Sequence, residues 1–301
     1  MFRRHLRLPT GSAVLLEHFQ LDFAHDDICW LEEDVLRNGP VTLFNSANRL
    51  RIARFKSCCS NLQDPRIFPL PWIQLTDLHF HGIVLPPDTR HAVLRQCTNL
   101  VACTVEIISR NHNQITDTPN IMLPNLQEFS LFVECDDTYA PFLQPFVLTV
   151  LRMLKLSAGY ASGRNSLALA FTSLSVRSWF NLEVFIFDGV AISPTDVTSI
   201  LTNMPSLVEL NLDWTECLDL DMISRGELVT NLRVLKLQLT LLHAIVDVIE
   251  SRWRMDVNHP NTGERRCIPV SQLREVTLSS TNTSQNGTWI FLACMDSRQR
   301  D

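Results

Sequence analysis

The side chains best placed for chemistry in this 301-residue sequence are Asp77, His79 and His81, spaced Asp-x-His-x-His. In an extended chain a period of two puts all three on one side of the strand. A carboxylate with two imidazoles is an acceptable zinc or acid/base set. The three nevertheless fall on outward positions of a repeated pattern, and neighbouring copies of that pattern add no further ligand. A binding or solvated surface is therefore the preferred reading, with a metal-dependent enzyme around Asp77, His79 and His81 as the lesser alternative. No glycine-rich phosphate loop, G-x-S-x-G elbow or H-E-x-x-H motif occurs, and glycine is scarce at nine residues. The sequence predicts no enzyme, no cofactor and no metal. Nine cysteines are scattered, with only Cys58 and Cys59 adjacent. That odd, irregular set argues for reduced, buried thiols rather than a disulfide framework.

The elements that must carry these residues announce themselves by repetition. The order L-x-x-L-x-L starts at Leu50, Leu75, Leu100, Leu126, Leu151, Leu182, Leu207, Leu232 and Leu273, at intervals of 25, 25, 26, 25, 31, 25, 25 and 41 residues, with a weaker copy at Leu16. The last three residues of each copy alternate apolar, polar, apolar, as in a short strand with one buried face; Ile186 is the exception, an apolar residue facing outward. Amphipathic helices are expected between strands. Ser193-Pro194 caps one that Asn203 and Pro205 stop, Pro86-Pro87-Asp88 opens another, and 166–179 and 242–253 are further candidates. The period and the strand-helix unit predict an α/β leucine-rich-repeat solenoid of about ten repeats. It would be a horseshoe with a parallel concave sheet and helices on the convex side. One domain would span 1–301, with weak repeats over 1–49, regular ones over 50–281 and a cap or tail over 282–301. The asparagine that many such repeats carry eight residues after the first leucine is missing. Cys58, Ile83, Ile108 and Glu134 stand at the first four of those places, so the turn amides and carbonyls need other partners.

The third, fifth and seventh residues of each copy would line the concave face. Stacked in order, they place Phe132, Met153, Val184 and Ile186 together as an apolar group, with Asp188, Glu209 and Asp213 as an acidic flank and Lys155, His79 and His81 nearby. An apolar centre with a charged rim suits a protein interface. The competing expectation is that the longer insertion between Leu151 and Leu182 folds over and covers Phe132 and Ile186.

Composition fits a soluble globular chain, 46% hydrophobic and 19% charged, with a formal charge of −6 and a pI near 5.8. Such a balance gives no reason to expect nucleic acid, and no run of 18 apolar residues predicts a membrane span. The start, Met1-Phe-Arg-Arg-His, lacks the apolar stretch of a signal peptide, which makes the cytoplasm or nucleus the expected location. The sequons at Asn282 and Asn286 then read as chance matches.

Several blocks go beyond the leucine framework: Leu70-Pro-Trp72-Ile-Gln-Leu75, Cys97-Thr-Asn-Leu100-Val-Ala-Cys103, Ile121-Met-Leu123-Pro-Asn-Leu126, Leu201-Thr-Asn-Met-Pro205-Ser-Leu207 and Ile249-Glu-Ser-Arg-Trp253-Arg. Over residues 65–280 the chain resembles the leucine-rich-repeat region of F-box-like proteins of mushroom-forming fungi. The resemblance implies substrate recognition for a cullin-RING ubiquitin ligase, with an unknown target protein held by the repeats. It implies a Skp-type adaptor as partner only where an F-box lies upstream, since the Leu-Pro-x-Glu type opening of an F-box is not found here. A free-standing repeat scaffold or decoy is the alternative.

Overall fold

Each L-x-x-L-x-L copy becomes a strand that begins two residues after its first leucine. The structure is a computed structural model that describes residues 13–23, 41–60, 68–83, 85, 87–107, 120–135, 139–160, 166–189, 193–212, 223, 228–239, 273–280 and 288–292. Its strands in chain order are β1 (His18–Phe23), β2 (Ile52–Ser60), β3 (Asp77–Ile83), β4 (Ala102–Ile107), β5 (Ile121–Met122), β6 (Glu128–Cys135), β7 (Phe146–Val147), β8 (Met153–Tyr160), β9 (Val184–Gly189), β10 (Glu209–Leu212), β11 (Val234–Leu239), β12 (Glu275–Ser280) and β13 (Thr288–Leu292). The helices are α1 (Pro87–Gln96), α2 (Tyr139–Leu143), α3 (Ser166–Ser178) and α4 (Pro194–Thr202).

Ten strands form one open parallel sheet in the order β1-β2-β3-β4-β6-β8-β9-β10-β11-β12; β13 adds antiparallel at the β12 edge, and β5 pairs with β7 in a small second sheet. The register never slips at the strand starts. Ile52 pairs with Asp77, Asp77 with Ala102, Ala102 with Glu128, Glu128 with Met153, Met153 with Val184, Val184 with Glu209, Glu209 with Val234 and Val234 with Glu275. A one-residue slip would turn every buried leucine to solvent, so the hydrophobic pattern itself pins the pairing.

The inward strand residues, such as Leu78 and Phe80, Phe129 and Leu131, Leu154 and Leu156, and Leu235 and Leu237, are all buried. A second layer covers them. Phe171 of α3 lies 6.2 Å from Phe185 of β9, Phe146 of β7 lies 5.8 Å from Phe129 of β6, and Phe68 lies 5.6 Å from Phe55 of β2. Each leucine taken out of water in this way contributes roughly 1.5–3 kcal/mol, the main force holding successive copies together. The helix ends follow the expected chemistry. Ser193 caps α4 by accepting from the Asp196 N–H at 3.1 Å, with Pro194 in the first turn and Asn203 at the far end. The helix expected over 242–253 and the loop expected over 256–266 lie outside the described residues. Among the described residues no helix is long and apolar enough to cross a membrane.

The polar ladder that is missing eight residues after the first leucine exists at the other end of the strands. The residue just before that leucine reaches back to the preceding copy: Asn99 Nδ2 donates to the Ile73 carbonyl at 2.8 Å, Asn125 to Thr98 at 3.3 Å and Asn231 to Pro205 at 2.9 Å. Gln74 and Ser206 do the same to Ala47 and Leu182. The backbone reinforces this seam. In each copy the two amides after the first leucine donate to one carbonyl of the copy before, as Thr76 and Asp77 do to Arg51 and as Gln127 and Glu128 do to Val101. These bonds satisfy backbone groups where each strand begins, the end opposite the turn that lacks its asparagine.

One copy breaks the pattern. The residue three before the first leucine is buried at Ala13, Ala47, Trp72, Cys97, Leu123, Leu148, Met204 and Val229, but Trp179 in the same place is 85% exposed, with φ +52°. The inward place is taken one residue earlier by Ser178, whose Oγ accepts from the Leu148 N–H at 3.0 Å.

Candidate functional site

Among the described residues nothing covers the face of the sheet opposite the helical layer. On it the third, fifth and seventh residues of each copy stack into three rows, each running from strand to strand at about 4.8 Å per step. The described side chains in these rows are half-buried or exposed. The chain after Leu151 does not cover the face where it is described, because α3 packs on the opposite side through Phe171 and Phe185.

In the third-position row Met153 and Val184 are direct partners, and Ile186 lies two residues along β9, in register with Lys155 and Asn211. These three form one apolar patch. Phe132 does not join it. It occupies the seventh-position row between Glu106 and Ser157, four residues along the strand from the level of Met153, or about 13 Å. Phe132 is the seventh residue of its copy, whereas Met153 and Val184 are third and Ile186 fifth, so their places in the copies already carry this separation.

Phe132 instead sits in a groove of about 490 Å³ lined with His81, Thr104, Glu106, Ser130, Lys155, Ser157 and Asp188. Its charged members are already paired. His81 Nδ1 lies 3.0 Å from Glu106 Oε2, and the same carboxylate oxygen accepts from the Gly82 N–H. Gly82 has φ +66°, a conformation that favours glycine, and it turns this amide back toward the next strand. The Glu106 side chain is only 12% exposed while His81 is 65% exposed, so the carboxylate is a fixed anchor and the imidazole an accessible one. Lys155 Nζ lies 3.1 Å from Asp188 Oδ2, and Lys236 Nζ lies 2.7 Å from Glu209 Oε1. Such half-exposed pairs contribute little stability, on the order of 0–1 kcal/mol each, but they hold long side chains in set positions. Asp213 lies outside the described residues.

Asp77, His79 and His81 share the open face but not a focus. Asp77 Oδ2 accepts from Thr76 Oγ1 at 2.7 Å, His79 Nδ1 lies 3.0 Å from Thr104 Oγ1, and His81 is held by Glu106. Each takes a different partner, and among the described residues no group of three or more His, Cys, Asp and Glu is placed to hold a metal ion. Partial burial, helped by the charge of Arg54 and opposed by Asp77, lowers the His79 pKa below 6.5 and favours the neutral ring.

The helical layer holds polar residues that the sequence did not flag. Arg90 and His91 of α1 are both 1% exposed. Arg90 Nη2 donates to the Leu85 carbonyl at 2.7 Å, and its guanidinium lies 5.5 Å from the centre of the Phe142 ring. Its pKa drops to about 10 through burial, which leaves it charged at neutral pH. The His91 ring stacks on Phe142 at 5.2 Å and meets the edge of Phe146 at 5.8 Å. Neither His91 ring nitrogen reaches hydrogen-bond geometry, although the Phe142 backbone lies near enough to favour a proton there slightly. Helical spacing was the available signal, since 90, 93 and 94 lie along one face of α1, with Val93 and Leu94 both buried. Cys97 and Cys103 are free, buried thiols. Burial pushes both thiols up, Cys97 to about 12, far from reactive thiolate chemistry.

Compared with models of known protein families and with curated proteins, the chain matches none.

Proposed function

We propose that the chain is a leucine-rich-repeat solenoid that binds another protein on its open sheet face. Its place is the cytoplasm or nucleus, as the substrate-recognition region of an F-box-like ubiquitin-ligase subunit. The observation that carries the binding role is this face itself, open among the described residues. A register kept at the start of every parallel strand aligns Met153, Val184 and Ile186 as a half-buried apolar patch, bordered by the Lys155–Asp188 and Glu209–Lys236 pairs. An apolar centre ringed by ordered charges supplies desolvation energy in the middle and register at the edge. The ligase role rests on the resemblance of the Pro-Trp, Cys-x-Asn-Leu-x-x-Cys and Ser-Arg-Trp blocks to that family.

Affinity capture with three forms of the full chain tests this reading: the native sequence, Ile186→Asp on the open face and Leu169→Asp on the solvent side of α3, where Leu169 is exposed. A protein recovered with the native chain and Leu169→Asp but lost with Ile186→Asp supports the open face. Recovery that is lost only with Leu169→Asp contradicts it. Co-recovery of a Skp-type adaptor with the longest transcript product tests the ligase role separately.

A further inference from the structure

The seventh-position row runs Asp22, Lys56, His81, Glu106, Phe132, Ser157, Asp188 across seven strands, and its charges are unequally satisfied. The two carboxylates inside the groove are occupied from within the chain, Glu106 by His81 and Gly82 and Asp188 by Lys155. On β2, by contrast, Arg54 and Lys56 are exposed, and among the described residues neither forms an ion pair. Asp22 lies in register with Lys56 and keeps its charge while accepting from the neutral Gln20 Nε2 at 3.2 Å. Two exposed cations, Arg54 and Lys56, against this one carboxylate leave the excess charge of the β1 and β2 rows positive. Three strand steps away lies the apolar groove floor, Phe132.

Lys56 and Phe132 are separated by β3 and β4, three steps of about 4.8 Å, or about 14 Å. An extended peptide covers that distance in about four residues at 3.3 Å each, and residues i, i+2 and i+4 of such a peptide face the same way. A peptide crossing the strands along this row thus sets residue i over Lys56, i+2 beside the exposed imidazole of His81 and i+4 over Phe132.

We infer that the open face recognises an extended segment of a partner protein carrying an acidic residue at i and an apolar residue at i+4, read by Lys56 with Arg54 and by Phe132. This deepens the open-face reading and rests on it. A basic segment is disfavoured at i because Arg54 and Lys56 would repel it, whereas an acidic one gains their attraction.

The test is selection of random ten-residue peptides, displayed without other context, on the full chain and on its Lys56→Glu and Phe132→Ser variants. Both substitutions are on the uncovered face and leave the core untouched; circular dichroism melts verify this. The expected result is enrichment of Asp or Glu four residues before Leu, Ile, Phe or Val. On Lys56→Glu the acidic preference turns to Lys or Arg with the apolar position kept, and the original peptides bind at least tenfold more weakly. On Phe132→Ser the apolar preference disappears. Enriched peptides without that spacing, an unchanged preference on Lys56→Glu, or no enrichment at all would overturn the inference. Differently patterned peptides that lose binding on Ile186→Asp would sink this inference while leaving the open-face reading standing. Peptides indifferent to all three open-face substitutions would remove both.

Discussion

His91 makes the stability of the helical layer sensitive to acid. Its ring is sealed between Phe142 and Phe146, and loss of hydration is the largest reason its pKa falls from 6.5 to about 4. The Phe142 backbone and Asp88 oppose that shift, while the charges of Arg90 and Arg95 add to it. In the unfolded chain the same imidazole takes a proton near pH 6.5. Between those values the unfolded state binds more protons than the folded one, so stability is intact above about pH 6.5 and falls as the pH drops toward 4. At about 1.4 kcal/mol per pH unit the interval corresponds to at most about 3.5 kcal/mol, a large share of a typical folding free energy. The assay is urea denaturation followed by circular dichroism from pH 7.5 to 4.5, for the native chain and for His91→Phe. The new ring's packing cost offsets the two curves by a constant, so their difference isolates the proton. That difference should change by about 2–3 kcal/mol across the range, the native chain losing more. A difference flat to within about 0.5 kcal/mol would mean that His91 is hydrated or paired in the folded state, and the sealed packing would be wrong.

Other expectations follow from the same geometry. Leu210→Ala, at a fully buried position of β10, should lower stability by about 3–5 kcal/mol through the cavity it leaves, as read by denaturant midpoints. Ile186→Asp on the open face should shift the midpoint by less than about 1 kcal/mol, because its side chain lies outside the core. Asn125→Ala should cost about 1 kcal/mol by removing the bond to the Thr98 carbonyl, and faster amide exchange should appear at the β4–β6 seam rather than elsewhere. Trp179→Asn should stabilise the chain by about 0.5–1 kcal/mol, since asparagine tolerates the left-handed backbone that an exposed tryptophan holds under strain.

Much of the sheet was legible in the residues because one chemical rule governs it. A leucine at a fixed phase must face the core, so each strand starts two residues later and the register follows. The ends of α4 were equally readable, since Ser193, Pro194 and Asn203 each act locally. What escaped notice depended on neighbours brought close only by stacking. The Asn99, Asn125 and Asn231 ladder bonds carbonyls 26 or 27 residues earlier, and an asparagine before a leucine reads as an ordinary turn residue. Arg90 and His91 sit on the inward face of α1 although their types suggest an outward one. The antiparallel β13 had no leucine pattern to mark it. On the open face, the seventh place of Phe132 and the third and fifth places of Met153, Val184 and Ile186 already carried their separation, which stacking by copy alone passed over.

The central claim, that a partner protein seats on the open sheet face, is tested most directly by placing a photo-crosslinking benzoylphenylalanine at one position at a time in the full chain, at 186 on that face and at 169 on the outer side of α3. Irradiation in cells should join a discrete partner to the chain at position 186 and leave position 169 unjoined. Crosslinking at 169 with none at 186 would place the interface on the helical layer and contradict the account.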